Sequence, residues 1–68
     1  MEKGTILKGL IGSFEIYNTT ESGDDKTYYM CKLGKNNKRL SHKNSKNLMT
    51  MKGKQLDFFL KSGSLKIA

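Results

Sequence analysis

The sequence lacks several residue types that would assign it to a class of protein at once. It has no proline and no tryptophan, and its single cysteine, Cys31, cannot form a disulfide within the chain. No set of Cys and His residues has the spacing of a metal site. This composition is typical of a protein from a reducing compartment, and we expect the protein in the cytoplasm.

Long apolar runs are also missing. No segment approaches the roughly 18 consecutive apolar residues that a membrane-spanning helix needs. The apolar part of the N-terminus follows Glu2, is interrupted by Lys8 and precedes no small-residue cleavage site. This is not the pattern of a signal peptide. We therefore expect no membrane partner.

Residue groupings typical of catalysis are absent as well. The one histidine, His42, lies among lysines and serines with no carboxylate nearby in the sequence, and we interpret it as a solvated loop residue close to phosphate. Asp24 and Asp25 lack the run of oxygen ligands of a calcium loop. The GLIG segment at 9–12 is not followed by the Lys-Ser/Thr of a phosphate-binding loop. The sequence predicts no enzyme, no metal and no cofactor.

Acidic residues are missing from one long segment, residues 26–56, and all six carboxylates lie outside it. This basic segment carries eight lysines, Arg39 and His42, and the whole chain has a net charge of +7. A large field of one sign on so short a chain favours an anionic partner, most often nucleic acid. The alternative is a solvated loop whose charge serves solubility alone.

Short stretches rich in strand-forming residues predict five strands in one domain, residues 1–68, arranged as three, an interruption and then two. Turn residues at 19–25 and 61–64 separate neighbouring strands. The interruption, 34–50, is predicted as a long basic loop in which Asn44 or Ser45 caps one helical turn through Leu48. The predicted strands are 5–11, 13–18, 26–33, 53–60 and 65–68.

Alternation within these strands separates a core face from an exposed face. In the third strand Cys31 is placed inward as a small buried hydrophobe, together with Tyr29 and Leu33. In the fourth, Phe58 is placed inward, and the alternative puts both Phe58 and Phe59 in the core of a curled sheet. The exposed aromatic rings on which bases would stack are then Tyr17, Tyr28 and Phe59.

The basic segment supplies the other half of the predicted interface. Ammonium and guanidinium groups neutralise phosphates and release condensed counterions, which provides affinity that does not depend on base sequence. The residues predicted to contact nucleic acid through charge are Lys32, Lys35, Lys38, Arg39, His42, Lys43, Lys46, Lys52 and Lys54.

Several segments resemble bacterial translation initiation factor one, a family of OB-fold proteins. Gly4-Thr5-Ile6 is similar to the Gly-Thr-Val that opens the first strand of that family, and Phe14-Glu15-Ile16 is similar to its Phe-Arg-Val. Leu33-Gly34-Lys35 followed by Arg39 resembles the Ser-Gly-Lys-x-Arg segment that leads into the short helix of the family. Gly53-Lys54-Gln55-Leu56, then Leu60, resembles its Gly-Asp-Lys-Val…Leu strand, and the terminal SGSLKIA is similar to its closing hairpin.

This resemblance implies an OB-type barrel that contacts RNA through one face and through the loop, here by Lys35, Lys38 and Arg39. We therefore predict an all-β fold, a small five-stranded OB-like barrel with a long basic loop or short helix between strands 3 and 4. The predicted function is binding of RNA or single-stranded nucleic acid, with a role in translation implied by the resemblance. The alternative is a protein-interaction module, a phage or mobile-element inhibitor or adaptor, that docks its basic face on an acidic protein. Open sheet edges would let a monomer pair weakly into a dimer.

Overall fold

The centre of the fold is an antiparallel hairpin of two long strands, β2 and β3. A computed structural model describes residues 1–10, 12–40 and 43–68. Within these ranges it contains five strands and one α-helix. The strands are β1 (Ile6–Gly9), β2 (Gly12–Ser22), β3 (Asp25–Leu33), β4 (Leu48–Lys52) and β5 (Leu65–Ile67), and the helix is α1 (Gly53–Ser62).

The β2–β3 hairpin is longer than the sequence pattern predicts. Its strands pair continuously from Ser13 opposite Leu33 to Ser22 opposite Asp25, with a bulge after Ile16. The turn consists of two residues, the first of which, Gly23, has a φ of 60°. A left-handed conformation costs glycine little, and it matches the twist of a tight hairpin. The predicted turn at 19–25 is therefore mostly strand.

The five described strands form one antiparallel sheet in the order β4-β3-β2-β1-β5. Both β2 and β5 pair antiparallel with β1, and β4 pairs with β3. The two end strands of this order, β4 and β5, are its edges, so the sheet is not closed. The coarser prediction, a small and mainly β fold with five strands, is confirmed.

The predicted strand at 53–60 is wrong, because this segment forms the helix α1. Its apolar residues Leu56, Phe59 and Leu60 follow the spacing of one helical face and pack on the sheet. Gly63 ends the helix in a left-handed conformation, with φ of 83°, and donates its N–H to the carbonyl of Leu60. The predicted orientation of the phenylalanines is reversed, since Phe58 is 66% exposed.

The fourth strand begins inside the segment predicted to be loop. β4 begins at Leu48, and it is preceded by a 3-10 turn at Ser45–Asn47. The side-chain oxygen of Asn44 accepts the backbone N–H of Lys46, which confirms the predicted cap. A second 3-10 turn, Lys35–Asn37, follows β3. The predicted connection between strands 3 and 4 therefore exists but is shorter, with the helix placed after the fourth strand instead.

The helix divides the sheet into two different faces. We call the side that α1 packs against the covered face. Its buried residues, together with Leu56 of the helix, form the core: Leu7, Phe14, Ile16, Tyr28, Met30, Met51 and Leu65. We call the opposite side the open face. It carries Tyr17, Thr20, Thr27, Tyr29, Thr50 and Lys52.

Candidate nucleic-acid interface

Tyr28 does not have the exposure predicted for it. It is 7% exposed and belongs to the core beneath α1, so its predicted position on an exposed face is wrong. The physical reason is that β3 is apolar on both sides, and the side carrying Tyr28 and Met30 is the one the helix covers. Phe59 is partly buried and packs against the core from α1, so it lies on the side of the sheet that the helix covers.

Tyr29 was predicted to point into the core with Cys31, but it lies outside the core that α1 covers. It alternates along β3 with Tyr28 and Met30, so its side chain lies on the open face. The bulge in β2 lies beside Tyr17, and the two ring centroids are 6.3 Å apart with their planes at 51°. Both tyrosines are half-buried, which leaves part of each ring accessible. The sequence could have indicated the position of Tyr29 through its adjacency to Tyr28, because adjacent residues of a strand point to opposite faces.

Hydroxyl groups surround this tyrosine pair. The hydroxyl oxygens of Thr20 and Tyr29 are hydrogen-bonded at 3.4 Å. Thr50 of β4 lies directly opposite Tyr29 and is exposed. Next to them, the Lys52 ammonium donates to the hydroxyl of Thr27 at 3.3 Å. The open face therefore combines two aromatic rings, hydroxyl donors and a positioned cation.

An ion pair closes one end of the open face. The Arg39 guanidinium donates from Nε to Glu15 Oε1 at 2.7 Å and from Nη2 to Oε2 at 3.1 Å, a two-pronged contact. The hydrogen bonds from Arg39 lower the pKa of the Glu15 carboxyl, although partial burial opposes them. The carboxylate raises the pKa of the Arg39 guanidinium in return. Both groups are therefore charged at neutral pH.

The ion pair holds the segment 34–40 against the sheet. Within this segment Arg39 forms an isolated bridge with Leu33, and Leu40 donates its N–H to the carbonyl of Lys32. The Cys31 thiol lies beneath and donates to the Leu40 carbonyl at 3.4 Å. Cys31 is fully buried, which confirms its prediction as a small buried hydrophobe.

The predicted phosphate-binding residues do not form a single track. Lys52 lies on the open face and Arg39 at its margin. Lys35 and Lys38 are exposed in the segment that Arg39 holds, and Lys43 is exposed further along the chain. His42 lies outside the described residues.

Two other lysines belong to the covered side of the sheet. Lys32 pairs directly opposite Phe14, whose side chain is in the core, so it lies on the same face as Phe14. Together with Lys46 it lines a cleft that Phe14 and Met49 also line. These two cations are therefore separated by the sheet from the tyrosine pair.

Lys54 lies in the first turn of α1, at a third location. It lines an open pocket of about 470 Å³ with Lys26 and Lys52. Asp24, Asp25 and Asp57 line the same pocket, so its charge is mixed. The Lys26 ammonium is further engaged, at 3.7 Å from a Glu21 carboxylate oxygen and 5.3 Å from the centroid of the Tyr28 ring.

The part of the chain that the structure describes has no group of three or more His, Cys, Asp or Glu side chains that could hold a metal ion. It also has no helix with the length and apolar character needed to cross a membrane. Comparison of the chain with protein-family models, with curated proteins and with solved structures finds no significant match.

Proposed function

We propose that the protein binds single-stranded nucleic acid on its open face, without catalysing a reaction. The observation that carries the proposal is the Tyr17–Tyr29 pair, two partly accessible rings side by side on an otherwise hydroxyl-rich sheet. Proteins that bind single strands without sequence preference combine such rings, on which bases stack, with cations along the backbone path. An open sheet surface with aromatic side chains suits an extended single strand better than a rigid duplex.

The cations nearest to this face provide the phosphate contacts of the proposal. Lys52 lies beside the tyrosines, and Arg39, Lys35 and Lys38 lie at the margin where segment 34–40 crosses the sheet. If all four contact phosphates of a single strand, the logarithm of the affinity falls with the logarithm of salt concentration with a slope of about −3. Bound phosphate would compete with Glu15 for the Arg39 guanidinium.

A more specific form of the proposal is that the bound nucleic acid is RNA of the translation apparatus. It comes from the resemblance to bacterial translation initiation factor one, which implies RNA contact through the loop, here by Lys35, Lys38 and Arg39. The OB-like barrel that the resemblance implies also remains a proposal. One matched segment, Gly53–Leu56, begins a helix rather than a strand. Co-sedimentation of the protein with purified small ribosomal subunits tests this form, and no binding to subunits alongside tight binding to free RNA would remove it.

The test of the general proposal is fluorescence anisotropy of labelled RNA and DNA single strands of about 12 nucleotides, titrated at several salt concentrations. Replacing Tyr29 by Ala should weaken binding by about 5- to 150-fold, because stacking contributes about 1–3 kcal/mol per base. Tyr29→Phe should retain most of the affinity, since the ring is kept. The matched control is Phe58→Ala, which removes an exposed ring from α1 and should leave the affinity unchanged.

Two results would count against this function. No binding at low salt would remove it and favour the alternative, docking of the basic surface on an acidic protein. An equal loss from Phe58→Ala and Tyr29→Ala would mean that aromatic residues contribute without a defined platform. A slope near zero would separately show that Lys52, Arg39 and their neighbours do not contact phosphate.

A further inference from the structure

A groove remains on the covered face where α1 does not reach. Its volume is about 350 Å³, and its walls come from the end of β1, from β2, β4 and β5, and from the helix. The apolar residues that line it are Leu10, Phe14, Met49, Met51, Phe59 and Leu65. Strands from both edges of the sheet, β4 and β5, thus contribute to one recess.

The composition of the groove is unusual for a solvent-facing surface. Its rim residue Leu10 is 98% exposed, and on its own this would need no explanation. Here Leu10 is continuous with a recess lined by two methionines and two phenylalanines. Flexible methionine side chains adapt to irregular apolar partners, and they are abundant in grooves that receive peptide helices.

The charge around the groove indicates what kind of partner fits it. The cleft lined by Lys32 and Lys46 adjoins the groove and shares Phe14 and Met49 with it. None of the described residues that line either recess is acidic. A partner must therefore present apolar side chains to the floor and carboxylates to one end.

We propose that this groove docks an amphipathic acidic helix from a partner protein. Leucine or phenylalanine side chains spaced at i, i+3 or i+4 and i+7 would enter the recess between Phe59 and the methionines, in the helix-in-groove mode. Glutamates or aspartates on the flank of the helix would face Lys32 and Lys46. The groove and the tyrosine pair lie on opposite faces of the sheet, so this site stands whether or not the open face binds nucleic acid.

The experiment uses a synthetic, fluorescein-labelled helical peptide with leucines along one stripe and glutamates at the remaining positions. Its counterpart has every glutamate replaced by lysine. Anisotropy titrations against the intact protein should show binding of the acidic peptide and a much weaker interaction with the basic one. Chemical-shift changes in ¹H–¹⁵N spectra should map to Met49, Met51 and Phe59.

Two substitutions in exposed positions test the groove without disturbing the core. Leu10→Ser should weaken binding of the acidic peptide by about tenfold, and Lys46→Glu should weaken it by a similar factor. Each has a matched control that lines neither recess, Ile67→Ser on β5 for the apolar change and Lys61→Glu on α1 for the charge reversal. Both controls should bind the peptide as the unmodified protein does.

Several outcomes would overturn the proposal. These are equal binding of the acidic and basic peptides, shift changes that map to the open face, or the same loss in the controls as in Leu10→Ser and Lys46→Glu. Binding to vesicles of anionic phospholipid, with no binding of the acidic peptide, would assign the groove to a membrane surface instead.

Discussion

The two faces of the sheet come from the same strands and yet have opposite properties. On the open face, Tyr17 and Tyr29 stand among threonines, with Lys52 beside them. On the covered face, the same strands present Met30 and Ile16, which are fully buried. A strand alternates its side chains between faces, so neighbours in the sequence lie in different surroundings.

Tyr28 and Tyr29 show the difference between the covered and open faces most directly. They are adjacent and chemically identical, but one completes the core beneath α1 and the other lies beside Tyr17. The surroundings of a residue in this fold are therefore decided by its face and not by its type.

The largest effect is expected from the tyrosine beneath the helix. Tyr28→Ala should lower the free energy of unfolding by about 3–5 kcal/mol, because it leaves a cavity in the core. Since a 68-residue domain has a total stability of about 3–10 kcal/mol, this variant should be close to unfolding. Tyr29→Ala should change stability by about 1 kcal/mol or less. Urea unfolding followed by circular dichroism measures both.

Tyr28→Phe keeps the comparison testable if the alanine variant does not fold. It preserves the ring and should remain close to the unmodified protein in stability. Equal destabilisation by Tyr28→Ala and Tyr29→Ala would mean that the open face is packed as tightly as the core, and the two-face description would fail.

A smaller effect is expected where the helix that covers one face ends. Gly63→Ala should cost about 1 kcal/mol of unfolding free energy, because φ of 83° is unfavourable for any residue with a Cβ. No heavy atom lies within 4 Å of the added Cβ, so the cost comes from the backbone alone. Lys61→Ala, two residues earlier, should stay within about 0.5 kcal/mol. A neutral result for Gly63→Ala would show that the helix end can rearrange.

The smallest effect concerns the ion pair at the margin of the open face. The pKa of Glu15 is lowered in the folded protein, so its contribution to stability is complete above the ordinary carboxyl pKa and is lost as pH falls through the folded pKa. The unfolding free energy should therefore decrease as pH falls below about 4.5, the ordinary pKa of a glutamate carboxyl. In Glu15→Gln the unfolding free energy should decrease less as pH falls. The same decrease as in the unmodified protein would show that other carboxylates cause the pH dependence.

The sequence predicted that the first three strands exist, because glycines separate them, but it ended the second strand at residue 18 instead of Ser22. It failed at α1, since Leu56, Phe58 and Leu60 fit a strand while Leu56, Phe59 and Leu60 fit a helix. Gly63 was the available signal for a helix end. The short strand β4 was missed because its apolar residues are Leu and Met, which favour strands less than β-branched residues do.

The residue types of the candidate site could be read from the sequence, but the face of the sheet on which they lie could not. The sequence pointed to aromatic and basic residues, yet alternation alone could not decide which side of β3 faces the core. Both sides are apolar, and Cys31 and Leu33 are also buried, because segment 34–40 folds over them. The position of segment 34–40 over these side chains depends on the contact between Arg39 and Glu15, which are 24 residues apart. Short-range sequence patterns could not show this contact.

Because Cys31 is buried, the reactivity of its thiol reports on the motion of segment 34–40. A thiol reagent in solution reaches the sulfur when segment 34–40 lifts, which requires the Leu40 backbone to move and the Arg39–Glu15 pair to separate. The rate of alkylation therefore counts openings of that segment in the unmodified protein. Measured with and without an oligonucleotide, this alkylation rate would report whether bound nucleic acid makes the opening of segment 34–40 less frequent or more frequent.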